Sequence, residues 1–184
     1  HGVRDNSGFP VAVPPDRWLP SRLSAAGYQT GAAVSAVVLR GETGFGKGFG
    51  WFDQPQSTPG LPLGGQSRDG RSTARNALRW IDSVDRTKPF FLLLHLYEPH
   101  LPYEPAPAYA VEYRDRPYDG EIATFDSYLG EFLADLDRRG IADSSWIALV
   151  SDHGEGLGEH GEEEHGVLLY REAVHVPLLI KPPH

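Results

Sequence analysis

Helix-like and strand-like segments alternate along the sequence, which predicts an α/β fold: a mostly parallel sheet with helices on both faces. Three observations carry that expectation. Pro89–Leu94 and Trp146–Val150 are short apolar runs with the length of buried strands. Pro117–Arg139 places Ile122, Phe125, Leu129, Phe132, Leu133 and Leu136 on one helical stripe and stops at Gly140. The polar loops at His100 and at Asp152 each follow a predicted strand, so both are expected on one edge of the sheet, sharing a crevice.

The remaining elements fit between these. His1–Pro15 is polar and proline-broken and reads as irregular chain. Asp16 is positioned to cap a helix running to about Ala26, with Pro20 in its first turn and Gly27 ending it. Tyr28–Leu39, small and β-branched, predicts a strand, and Gln54–Gly70, rich in Pro, Gly and Ser, a surface loop. Ala74, Ala77, Leu78 and Ile81 have helical spacing within Ser72–Val84. A short helix over Leu168–Val174 and a strand over Val176–Ile180 close the chain.

Composition narrows the function classes. At 184 residues there is room for one domain with a real core, so 1–184 reads as a single unit. A formal charge of −8 without any basic cluster argues against a nucleic-acid binder. No apolar run reaches the length of a membrane span. With no cysteine there is no disulfide, no thiolate metal site and no cysteine nucleophile. The chain starts at His1 without methionine and stops at His184, and reads as an excised piece of a longer protein whose compartment is left open.

The chemistry concentrates in Ile147–His165. There an apolar run ends at Ser151 and gives way to Asp152, His153 and Gly154, then a glycine-rich loop. Side chains on consecutive strand residues face opposite ways, but at a strand exit the backbone turns and both can aim at one point. A carboxylate and a neutral imidazole converging there make half of a divalent metal site, so Asp152 and His153 are the expected ligands. Further oxygens must come from elsewhere, because calcium takes six to eight.

His165, ahead of Gly166 and an apolar turn, is expected to face inward, where its imidazolium could hold an anionic ester or protonate a leaving oxygen. His160 divides evenly between site and surface, and Glu162–Glu164 read as a solvated acidic turn rather than a zinc motif. His100 sits in Pro99-His100-Leu101-Pro102, where the prolines remove backbone freedom and pre-position the ring. His95, ending the predicted strand, reads as a supporting histidine. No residue makes a nucleophile: Ser151 lacks the surrounding elbow of glycines. Gly41–Lys47 imitates a phosphate-binding loop but is followed by Gly48 instead of Ser or Thr. The aromatic residues Phe45, Phe49, Trp51 and Phe52 point instead to an aromatic-anchored loop.

Taken together, Ser151-Asp152-His153-Gly154-Glu155, Gly158-Glu159-His160-Gly161 and His165-Gly166 ahead of Val176–Ile180 resemble the sulfatase family of the alkaline-phosphatase superfamily. So do Pro89–Tyr103, the opening His1–Arg4 and Ala26–Thr30. The resemblance implies a truncated alkaline-phosphatase-like fold and metal-dependent hydrolysis of a small anionic ester, sulfate before phosphate. It implies Asp152 and His153 as ligands to a divalent metal, Ca2+ before Zn2+ or Mn2+. It also implies His100 in contact with the sulfate and His165 where classical members carry Lys.

The family's nucleophile and first aspartate ligands precede the segment matching His1, so the chain is expected to lack them, together with a C-terminal continuation. The strand Gly31–Val37 lacks the family's Lys and His. Phosphoester relatives with two metals need a further Asp beside His100, which is absent here and favours one metal. The alternatives are a phosphoester hydrolase or phosphotransferase of the same superfamily, or a non-catalytic fragment.

Overall fold

The computed structural model describes residues 11–60 and 66–184; the opening His1–Arg4 and part of the Gln54–Gly70 loop lie outside them. Two compact units divide the chain at Phe132 and Leu133.

In the first unit, three parallel strands form a sheet in the order β2-β1-β3: β1 (Gln29–Val34), β2 (Trp51–Asp53) and β3 (Phe90–His95). This is the α/β class expected. β1 is the centre: Ala32, Ala33 and Val34 are fully buried, and the small side chains let two helices lie close. Gly31 shows how close. A Cβ there would come within 2.7 Å of the Trp80 ring, which stacks on Trp51 at 5.5 Å.

Helix α1 (Leu19–Ala25) is shorter than predicted. Asp16 does not cap it but lies in a separate 3-10 turn, Pro15–Arg17; the cap residue is Trp18, with no side-chain bond. Pro20, near the helix start, needs no N–H partner there. The strand predicted to reach Leu39 stops at Val34, because Ala36 bridges to Ser67 and Val37–Leu39 closes as a 3-10 turn.

Helix α2 (Gly70–Ser83) has the expected buried stripe of Ala74, Ala77, Leu78 and Ile81, and Asp69 accepts Ser72 N–H at 2.9 Å as its cap. Its buried Thr73 hydroxyl meets Ser35 Oγ at 2.8 Å on the chain leaving β1. The glycine-rich loop is aromatic-anchored as read: Phe45 lies 5.7 Å from Trp18 and 6.2 Å from Phe52, and Phe49 stacks on Phe91 at 6.2 Å. β3 is half-buried, not fully buried, because it is an edge strand of this sheet.

After the single turn α3 (Pro107–Ala110) comes α4 (Pro117–Arg138), which carries on past Phe132. Its first half departs from the predicted stripe. Ile122 is 43% exposed, while Glu121 and Thr124 are buried. Further along, Phe132 and Leu136 are buried as expected.

In the second unit, β4 (Ile147–Val150) pairs antiparallel with β5 (Leu178–Lys181), and helix α5 is a single turn, Arg171–Val174. The apolar letters of these strands do not translate into burial. β4 alternates, with Val150 61% exposed, and Leu178, Leu179 and Ile180 are all exposed. A two-stranded ribbon leaves too little neighbouring surface to cover both its faces.

Candidate functional site

The chain leaving β4 turns at once. Ser151 Oγ donates to His153 O, and Asp152 Oδ1 accepts His153 N–H at 3.0 Å, so the carboxylate caps the bend it sits in. Gly154 then passes so near α5 that a Cβ would lie 1.9 Å from Glu172 O, with Gly154 N–H donating to Ala173 O at 2.8 Å. Only glycine allows that approach, which aims the next residues back across the loop.

Two of the predicted histidines meet there. The rings of His153 and His165 stack, centroids 3.8 Å apart and 27° from parallel. The Nδ1 of His153 lies 2.8 Å from Gly154 O, and that of His165 lies 2.8 Å from Glu155 Oε1. A carbonyl or carboxylate oxygen only accepts, so each Nδ1 carries a proton. In the neutral ring, Nε2 is then the nitrogen with the lone pair. This is the arrangement in which a partner fixes tautomer and ring orientation for a ligand or an acid–base group. Glu155, whose side chain is only 5% exposed, is a residue sequence reasoning missed; its nearness to His153 in the chain was the available signal.

Asp152 Oδ2 lies 3.7 Å from His153 Nε2, and the Asp152 side chain is 79% exposed. The two donors are therefore neighbours at the strand exit. They supply one carboxylate and one imidazole, and among the described residues no group of three or more His, Asp or Glu is arranged to hold an ion. The donors present fit part of a coordination sphere and do not complete one.

His160 packs against other partners. It adopts a left-handed backbone (φ 58) and stacks on Tyr170 at 3.7 Å, with Nε2 3.4 Å from Glu172 Oε1. Glu162 is more than a solvated turn residue. Its carboxylate accepts Val167 N–H at 2.9 Å and Leu168 N–H at 3.0 Å, tying down the chain just beyond His165. Glu163 and Glu164 are exposed, as read.

In the first unit, His100 follows β3 in the loop whose Glu98–Pro99 and Leu101–Pro102 bonds are cis. Its Nδ1 donates to Leu101 O at 2.8 Å and its ring stacks on Tyr97, 4.2 Å away. The tautomer is thus the one His153 and His165 adopt. The backbone N–H of His100 goes to Glu121 Oε2 at 3.1 Å. Burial holds the Glu121 carboxyl above the ordinary glutamate range. The amides of His100 and Glu104 oppose that shift, and the nearby charges of Glu98 and Glu104 add to it.

A parallel sheet with helices packed on it makes this an α/β protein, and its structural neighbours give the fold as alkaline-phosphatase-like. The chain belongs to the sulfatase family, whose model, "Sulfatase", matches residues 7–184. It is similar to iduronate 2-sulfatase of Homo sapiens, 36% identical over 83 residues (45% of this chain, 15% of that protein). It is also similar to an arylsulfatase of Clostridium perfringens (strain 13 / Type A), 25% identical over 139 residues (54% and 29%). The matched stretches thus span well under half of these relatives' length.

Two solved structures share the fold. BT4656 in complex with D-glucosamine-2-N,6-O-disulfate has a TM-score of 0.79 at 16% identity, with 99% of this chain and 58% of that one covered. The lipoteichoic acid synthase LtaP of Listeria monocytogenes has a TM-score of 0.69 at 18% identity, with 90% and 46% covered.

Proposed function

We propose that the protein carrying this chain hydrolyses sulfate esters, with His165 and His100 at the reacting group and Asp152 and His153 as two of the metal ligands. The observation that carries the reading is the Glu155–His165 pair. A carboxylate on Nδ1 stabilises the imidazolium, whose Nε2–H can then be given to the alkoxide or phenoxide leaving as the S–O bond breaks. His100, with Nδ1 already committed to Leu101 O, would offer Nε2–H to a non-bridging sulfuryl oxygen when protonated. The nucleophile that forms the new bond to sulfur comes from outside these 184 residues.

A divalent ion bound by Asp152 and His153, with donors from the rest of the protein, would supply Lewis-acid polarisation of the ester oxygen. The exposed carboxylate of Asp152 suits calcium, while the imidazole also suits zinc or manganese. Sulfate is preferred to phosphate because the curated relatives are named as sulfatases. Sulfated sugars are the class to try alongside aryl esters, since the neighbour BT4656 was solved with one.

The test is turnover of aryl sulfates, aryl phosphates and a sulfated glucosamine by the full-length protein, before and after chelation and with each metal restored. Sulfate turnover abolished by chelator is expected. Turnover of phosphate alone moves the protein to the phosphoester branch, and turnover of nothing ends the hydrolase reading.

A further inference from the structure

A glutamate at a buried helix position needs a reason, because a carboxylate taken out of water is costly unless charge-assisted hydrogen bonds replace its hydration. Glu121 is 6% exposed on α4, and both of its oxygens are used. Oε2 accepts His100 N–H at 3.1 Å and Oε1 accepts Glu104 N–H at 3.1 Å. Between Pro99 and Glu104 two residues are prolines and donate nothing, so four amide donors remain. Glu121 takes two of those four.

Neighbouring contacts act on the same segment. Thr124, one turn further along α4, accepts Ala106 N–H at 2.9 Å and donates to Gly120 O at 2.9 Å. Gly120 lets Pro105 in: a Cβ there would lie 2.6 Å from Pro105 Cγ. At the other end, Glu98 Oε1 accepts Gly70 N–H at 2.8 Å, the first residue of α2. Residues 98–106 are therefore held from two helices, and it is the Glu121 carboxylate that accepts the amide of His100 itself.

We propose that Glu121 is the positioning residue for His100: its buried carboxylate sets the shape of the 98–104 loop and, through it, the placement of the imidazole. This rests on His100 contacting the sulfuryl group, as proposed above. Glu121 touches neither substrate nor reacting atoms; it acts through the backbone on either side of the ring. The isosteric amide of glutamine keeps one acceptor and turns an NH2 donor toward the other N–H, so one bond is lost without any change of volume.

The experiment uses the full-length protein in four forms: wild type, Glu121→Gln, His100→Ala and the double variant. Hydrogen–deuterium exchange of peptides spanning 97–106 and 90–95 is read beside kcat/KM for an aryl sulfate. Glu121→Gln should speed exchange in 97–106 and leave the β3 peptide unchanged. It should lower kcat/KM about tenfold to a hundredfold, as expected for a displaced contact group, and the loss should vanish in the His100→Ala background.

Unchanged loop exchange, or an equal fold-loss in both backgrounds, overturns the proposal. If Glu121→Gln does not fold, Glu121→Asp stands in for it, with the same two results decisive. His100→Ala with wild-type activity would defeat the assignment of His100 itself, and faster loop exchange in Glu121→Gln would then still support the clamp.

Discussion

His100 and His165 both lie against another ring, but the chain holds them by different means. The His100 loop is gripped through its main chain, by a carboxylate on a helix 21 residues away in sequence. The ring itself stacks on Tyr97 and bonds to the adjoining carbonyl of Leu101. In the loop after β4, the side chains are themselves fastenings: His165 on Glu155, His153 against His165, Glu162 on the amides of Val167 and Leu168. Removing a ring from the first loop should leave its shape intact, whereas removing one from the second should remove part of what shapes it.

The largest effect should come from His165→Ala. Loss of an acid–base group costs about 10²–10⁴ in kcat. Because the ring also anchors Glu155 and His153, a lowered melting temperature should accompany the loss. His100→Ala should lower activity with no shift in melting, and equal destabilisation by the two variants would erase the contrast. Glu155→Gln should follow, at about ten- to a hundredfold in kcat/KM, the usual effect of removing a partner that orients a functional imidazole. Gly154→Ala forces a Cβ against Glu172 O and should destabilise the second unit by about 1–3 kcal/mol, read by chemical denaturation.

The smallest effects are pH slopes, and they should have opposite signs on one helix. The Glu121 carboxyl is raised by burial, so the folded chain keeps a proton that the unfolded chain releases. Stability should therefore fall as pH climbs from the ordinary glutamate value to the higher folded one, and Glu121→Gln should flatten that fall. Asp135 is lowered by its bonds to Arg139 and then Arg138. Its contribution is present above the ordinary aspartate value and lost as pH drops through the lower folded one. Asp135→Asn should flatten only that acid limb, and slightly, since the group lies at the surface. Slopes of the same sign would contradict the burial of Glu121.

Much of the frame was legible in the sequence. The spacing of Ala74, Ala77, Leu78 and Ile81 gave the face of α2, and the small and β-branched residues after Gly27 marked β1 as a strand, though not as the central one. The strand-exit pattern led to His153 and His165, which do meet. Periodicity failed where burial is not apolar. Around Glu121 it put Ile122 inside and the glutamate outside, because the amides that make the buried carboxylate tolerable belong to a loop distant in sequence. The apolar run of β4 likewise reads as a buried strand, since apolar letters report what a strand could cover and say nothing of how many neighbours are there. Glu155, named within the motif at the strand exit, was given no role for the first reason: its value lies in a partner ten residues on.

The slot left by the missing side chain of Gly31 has an optical consequence. It lets the Trp80 indole lie against β1 and stack on that of Trp51, the two planes 11° from parallel. Two indoles this close couple their transition dipoles, so the pair should contribute an exciton band to the circular dichroism. That band should vanish when β2 peels away from β1, providing a native gauge of the first sheet without any added label.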